Sequence, residues 1–134
     1  MCIGNACRSP MAEAIARYDA ADVIEPLSAG LNPMGSIPEQ TQRTLAENGY
    51  TAAGLSSDEL TPALADAADI IINMTGRPRE EMLWDEGKVE DWMVDDPYGC
   101  SPERYQQVFE SIKRRIHQLA LGLREQRENK TTTR

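Results

Sequence analysis

Apolar positions along the chain recur with two periods, and polar residues divide them into short alternating elements. Behind Ser9-Pro10, the residues Met11, Ala14, Ile15 and Tyr18 fall at helical spacing. Ser can cap a helix, and Pro at the first helical position forgoes an N–H that has no intrahelical partner, so a helix is expected to start here. Residues 23–29 form a short strand candidate, interrupted by Pro26 and ending at Gly30. Ser36-Ile-Pro-Glu39 has capping-box spacing with Pro at the first helical position, and Asn48-Gly49 closes that helix. Thr61-Pro62 opens another short helix. The run Asp69-Ile-Ile-Ile-Asn-Met74 is the clearest strand, of the continuous apolar kind buried in parallel sheets. A helix around 79–87 and a short strand around 89–94 follow. Ser101-Pro102-Glu103 then starts a long helix, in which Tyr105, Val108, Phe109, Ile112, Ile116, Leu119 and Leu123 keep helical spacing. The alternation predicts one layered α/β domain with a parallel sheet over residues 1–128, followed by a polar, frayed and disordered tail over 129–134.

Composition narrows the picture. A chain of 134 residues suffices for one domain with its own core. The net charge of −8 argues against a nucleic-acid or anionic-membrane binder. Residues 1–102 carry net −12 and residues 103–134 net +4, which reads as a solvated basic face on the last helix or a contact for an acidic partner. The three cysteines, Cys2, Cys7 and Cys100, are too few and odd in number for a disulfide framework. With no signal peptide and no apolar run near the ~20 residues of a membrane span, a reducing cytoplasm is the expected compartment. The single histidine, His117, rules out a His-rich metal site and is expected at an exposed helix position. No Gly-Lys-Ser/Thr follows a glycine-rich loop, so a Walker-type nucleotide site is not supported.

The chemistry is concentrated in Cys2-Ile-Gly-Asn-Ala-Cys-Arg8-Ser9-Pro10. A cysteine, five intervening residues, an arginine and a helix start make a phosphate cradle. The loop can curl so that its amide hydrogens converge, which Gly4 makes sterically easier. The helix adds its positive end, and Arg8 adds a planar fork for two phosphate oxygens. The same field favours the thiolate of Cys2; comparable sites bring a thiol to about 3.5–7.5. The plainer alternative is a small buried Cys beside a helix cap.

The segment Cys-Ile-Gly-Asn-Ala-Cys-Arg-Ser-Pro-Met-Ala-Glu-Ala resembles the phosphate loop and first helix of the low-molecular-weight protein tyrosine phosphatases. The likeness continues at Ser28-Ala29-Gly30, at Gly35 with Pro38-Glu39, and at Asp95-Asp96-Pro97-Tyr98-Gly99. The resemblance implies a three-layer α/β/α fold with a short parallel sheet. It implies Cys2 as nucleophile, Arg8 with the loop residues Ile3, Gly4, Asn5, Ala6, Cys7 and Ser9 as phosphate holders, and Asp96 as general acid and then base. Asn5, Ser9 and Ser28 would keep the loop in shape, Cys7 would trap an oxidised Cys2 as a disulfide, and Tyr98 would wall the crevice. Asp96 could instead be a turn residue, Tyr98 and Cys7 packing residues, and Trp84 and Trp92 are expected to pack. Neither metal nor organic cofactor is implied. The implied ligands are a phosphorylated protein or small phosphate ester, and inorganic phosphate or arsenate.

Three departures from the family pattern matter. A hydrophobic strand precedes the family's cysteine, whereas Met1 alone precedes Cys2. A misplaced start codon, a second chain or shifted segment in the slot, or a genuine loss each account for this; with the strand gone, a crippled or rearranged site end and homodimerisation are expected. Asn32-Pro33-Met34 has no aromatic residue opposite Tyr98, which weakens the expectation of an aryl phosphate substrate. The region Gly54–Ser57 has no histidine to brace Asn5, which is therefore expected to be less firmly held. Two rival functions stand beside hydrolysis. Arsenate reduction would use the same loop with a relay through Cys7, Cys100 or a cellular thiol, and an inactive relative would bind phosphate without turnover.

Overall fold

The computed structural model describes residues 1–78 and 86–132. Its elements are α1 (Arg8–Asp19), α2 (Glu39–Glu47), α3 (Pro62–Ala67), β1 (Ile71–Asn73), β2 (Val89–Asp91) and α4 (Pro102–Thr132). Strands β1 and β2 pair in parallel, with Ile71 opposite Val89 and Asn73 opposite Asp91. Single parallel bridges extend the sheet, Cys2 with Gly30 and Gly30 with Glu59. Met1 joins these bridges to β1: its nitrogen donates to the Ile72 carbonyl at 2.6 Å and its carbonyl accepts from the Met74 N–H at 2.8 Å. Across the sheet the order is therefore Glu59, Gly30, Cys2, β1, β2. Gly30 and β1 thus keep ladder partners at the site end through Met1 and Cys2, contrary to the expected rearrangement there.

Two cores lie on opposite faces of this sheet, which gives the three-layer α/β/α arrangement. On one face Met11 and Ile15 of α1, Leu45 of α2, and Phe109 and Ile112 of α4 pack with Met74 and Trp92. On the other, Met1, Ile71 and Val89 pack with Ala65 of α3. Consecutive strand residues point to opposite faces, so Ile71 feeds the second core while Ile72 packs against the first. Each fully buried Ile, Leu or Phe contributes about 1.5–3 kcal/mol. Among the described residues no helix is long and apolar enough to cross a membrane.

Several boundaries differ from the sequence reading. Helix α1 begins at Arg8, its N-cap Cys7 has no side-chain cap, and Ser9 lies inside the first turn. Helix α2 begins at Glu39 with Pro38 as N-cap at ψ 148°, so Ser36 does not cap it. Pro38 disfavours helical backbone at Ile37, which delays the start. Thr61 does cap α3, accepting from the Leu64 N–H at 3.2 Å. Residues 23–29 form no strand, and only Gly30 bridges. Helix α4 continues to Thr132, past the boundary drawn at 128. The helix expected around 79–87 lies, with Trp84, outside the described residues except for a 3₁₀ turn over Glu86–Lys88. Trp92 packs, as expected, at 5% exposure.

Candidate active site

The loop from Cys2 to Arg8 is shaped from outside, carbonyl by carbonyl. The Cys2 carbonyl accepts from the Leu31 N–H at 3.2 Å, and that of Ile3 from the Asn32 N–H at 2.8 Å. The Gly4 carbonyl accepts from the Met34 N–H and from the Ser57 hydroxyl, both at 3.0 Å. The Ala6 carbonyl accepts from the Thr41 hydroxyl at 3.0 Å. All peptide bonds described here are trans, and in a trans peptide the N–H points opposite to the C=O. Each carbonyl drawn outward therefore turns the following N–H, of Ile3, Gly4, Asn5 and Cys7, the other way. Successive amides turned to one side form an anion-binding nest.

Gly30 lets this loop close on the sheet. A Cβ there would stand 2.7 Å from the Asn5 nitrogen and 2.8 Å from the Ile3 carbonyl oxygen, so only glycine fits. Asn5 is the one non-glycine residue with positive φ, 44°, among the described residues. Its amide is fully buried and holds the strained turn from both ends. Oδ1 accepts from the Asp58 N–H at 2.7 Å, while Nδ2 donates to the hydroxyls of Ser9 at 2.8 Å and Ser28 at 3.0 Å. The expectation that Asn5 would be loosely held without a histidine is thus corrected, because a backbone amide of the 54–58 region braces it.

Ser9 Oγ lies 2.9 Å from Cys2 Sγ. Because Ser9 Oγ accepts from Asn5, its own proton is free to be donated to the sulfur. In this chain burial pushes the Met1 amino group, beside Cys2 and Arg8, down to about 6. Arg8 is 5% exposed; one guanidinium nitrogen donates to the carbonyls of Met74 and Val94, the latter at 3.1 Å. Its Nε is buried with no partner among the described residues. A buried cationic N–H without an acceptor is costly, and an anion on the loop would supply one.

Asp96 Oδ2 is 3.7 Å from Arg8 Nη2, and its side chain is 53% exposed. Its Oδ1 accepts from the Tyr98 N–H at 3.1 Å, so Asp96 also shapes its own turn. The adjacent Asp95 is paired with Arg104 of α4. The two acids are thereby separated, with Asp96 alone beside Arg8. Tyr98 is about half exposed on this turn, and Met34, across the loop, would be 3.2 Å from a Cβ at Gly4. Cys7 is buried with its Sγ 3.4 Å from the Tyr105 hydroxyl, and burial pushes its thiol pKa up. Cys100 is exposed at the end of the Asp96 turn. His117 is half exposed on α4 and pairs with Asp19, away from the loop.

Sequence reasoning missed four supports: Thr41, Ser57, Asp58 and Glu13. The first three reach the loop from distant positions, and nothing local marks them. Glu13 did carry a signal. Ser9, Glu13 and Arg17 are four residues apart and so form one polar stripe along this helix.

The family model for the low molecular weight phosphotyrosine protein phosphatases matches residues 1–129. Among similar proteins, a probable low molecular weight protein-tyrosine-phosphatase, EpsP of Ralstonia solanacearum, is 28% identical over 87% of this chain and 88% of its own. An arsenate reductase of Bacillus licheniformis is 31% identical over 90% of this chain and 91% of its own. Among solved structures, the YwlE arginine phosphatase from Geobacillus stearothermophilus superposes with a TM-score of 0.86 at 27% identity, covering 96% of this chain and 92% of that one. The loop geometry, the layered fold and the extent of these matches agree: the chain belongs to the low-molecular-weight phosphotyrosine protein phosphatase family, whose members are cysteine-dependent hydrolases.

Proposed function

We propose that Cys2, Arg8 and Asp96 hydrolyse phosphate monoesters in two steps. The Cys2 thiolate attacks phosphorus, and the ester P–O bond breaks as Asp96 gives its proton to the leaving oxygen. Asp96, now a carboxylate, takes a proton from water, whose oxygen attacks the cysteinyl-phosphate; the P–S bond breaks and phosphate leaves. Arg8 and the amides of residues 3–9 hold the three equatorial oxygens through both steps, where most of the stabilisation arises. Ser28 supports the loop through Asn5. Tyr98 forms one wall of the crevice and Met34 flanks the other side. The substrates are a phosphorylated protein or a small phosphate ester in the cytoplasm, and inorganic phosphate or arsenate binds the same loop. Cys7 serves as redox partner, its thiol condensing with a Cys2 sulfenic acid to a disulfide and water.

The observation that carries this reading is the placement of Asp96 beside the Arg8 fork, whose Nε has no partner among the described residues. Arsenate reduction would use the same loop and acid. The thioredoxin-coupled reductases, however, need two further cysteines after the strand ending near Met74, where this chain has Thr75 and no Cys until Cys100. For that reason arsenate reduction stands second. The test is turnover of p-nitrophenyl phosphate near pH 6 by the full chain, with Cys2→Ser as blank. Turnover that vanishes in the variant is expected. No turnover in a sample that circular dichroism shows to be folded overturns the reading and leaves a phosphate-binding relative.

A further inference from the structure

Behind the loop runs a chain of hydrogen bonds that begins at one carboxylate. Glu13 Oε1 accepts the Ser28 hydroxyl proton at 2.6 Å, and its side chain is 11% exposed. Its other oxygen is paired with Arg17, one helical turn further along α1. A carboxylate only accepts, so Ser28 must donate to it and can offer Asn5 only a lone pair. Asn5 therefore turns its NH₂ side toward Ser28, and the second N–H of that group meets Ser9 Oγ. Ser9, having accepted, keeps its own proton to offer to a Cys2 thiolate, whose Sγ is 2.9 Å away. Asp58 N–H on Asn5 Oδ1 fixes the same amide orientation from the other side. Arg17 also donates to the Ala53 carbonyl at 3.2 Å, tying α1 to the segment that supplies Ser57 and Asp58.

We propose that Glu13, held by Arg17, is a positioning residue that acts through Ser28, Asn5 and Ser9 to aim a hydroxyl proton at the Cys2 thiolate. The proposal rests on Cys2 being the nucleophile of the site. Glu13 touches no reacting atom. It fixes the sense of the Ser28 hydroxyl and, together with the Asp58 N–H, that of the Asn5 amide. Among the described residues, the other charged or titratable groups around the sulfur are Arg8 with Asp96 beside it, the Met1 amino group and Cys7.

The test reads Cys2 directly, without turnover: peptide-resolved alkylation of the full chain by iodoacetamide from pH 4 to 9. Glu13→Gln keeps the shape but can donate to Ser28 and release its proton elsewhere. The Cys2 alkylation midpoint is then expected to rise, and the rate at pH 6 to fall about three- to tenfold, the size of one hydrogen bond. In a Ser9→Ala background, adding Glu13→Gln should leave the midpoint where Ser9→Ala put it. An unchanged midpoint in Glu13→Gln, even with lowered thermal stability, overturns the proposal in favour of a merely structural Glu13. A further full shift in the Ser9→Ala background overturns it as well. Arg17→Gln, which leaves Glu13 in place but unanchored, should shift the midpoint less and in the same direction; if Glu13→Gln does not fold, an unchanged midpoint in Arg17→Gln overturns the proposal. Wild-type Cys2 that reacts at pH 6 no faster than the exposed Cys100 would remove the nucleophile itself, and with it both readings.

Discussion

Residues 2–9 and residues 95–100 contribute to one site but are held in opposite ways. In the first segment the backbone is fixed by donors from residues 31, 32, 34, 41 and 57, and the Asn5 amide makes three hydrogen bonds. In the second, Asp96 and Tyr98 are about half exposed; Asp96 accepts from the Tyr98 N–H, the Cys100 N–H donates to the Pro97 carbonyl, Pro97 is buried and Asp95 pairs with Arg104. The phosphate-holding part must be preorganised, because amides that had to reorient during the reaction would lose much of their stabilising effect. The acid needs only to reach the leaving oxygen and to exchange protons with water, which burial would hinder. One segment is therefore held along its whole length by the fold, and the other is anchored at Pro97 and Asp95 while Asp96 and Tyr98 stay open to water.

This contrast can be broken most severely at Gly30. Gly30→Ala places a Cβ against the Asn5 backbone. We expect a loss of stability of about 1–3 kcal/mol, as for overpacked cores, with turnover falling roughly a hundredfold or more as the loop is displaced. Urea unfolding together with p-nitrophenyl phosphate kinetics would check both. Asp96→Asn attacks the other segment. Turnover should fall about 10²–10³-fold while stability stays within ~0.5 kcal/mol, because the side chain is largely in water. A large loss of stability there would show the acid turn to be as integral to the fold as the loop.

A milder comparison uses one cysteine from each segment. At pH 7.5 the native chain should alkylate at Cys100 at least about tenfold faster than at Cys7, which is buried and whose thiol pKa burial raises. Mass spectrometry of the peptides reads the two rates, and equal rates would mean that the loop opens readily. The smallest effect lies outside both segments. Hydrogen bonding from Arg124 holds the Asp22 carboxyl at about 2, below its unfolded value. Its contribution to stability is present above the ordinary carboxylate range and is lost as pH falls toward 2. Arg124→Gln should flatten that acid limb slightly in thermal melts, while leaving the loop and its kinetics unchanged.

Much of this was legible locally. Thr61 capping, the Asn48-Gly49 stop, the 69–74 strand and the helical spacing after Ser101 all found their elements, since each depends on neighbours within a few residues. The errors fell where a residue was drawn into a longer-range contact. Ser9 would cap an isolated helix; here its hydroxyl serves Asn5 and Cys2, and the helix starts two residues earlier. Residues 23–29 had the composition of a weak strand, yet only Gly30 has backbone partners on both sides.

The sequence by itself determined the loop, the arginine, the helix behind them and the Asp-Pro-Tyr turn, because that chemistry is written at short spacing. The tertiary structure alone decided which donors pull each loop carbonyl outward and that Asp58 replaces a histidine at Asn5. It also decided that Met1 and Cys2 complete the sheet between Gly30 and β1, and that Glu13 stands at the far end of the chain from the sulfur. Those contacts join residues 15 to 73 positions apart. No local pattern specifies such pairs; they exist only once the two cores have brought their elements together.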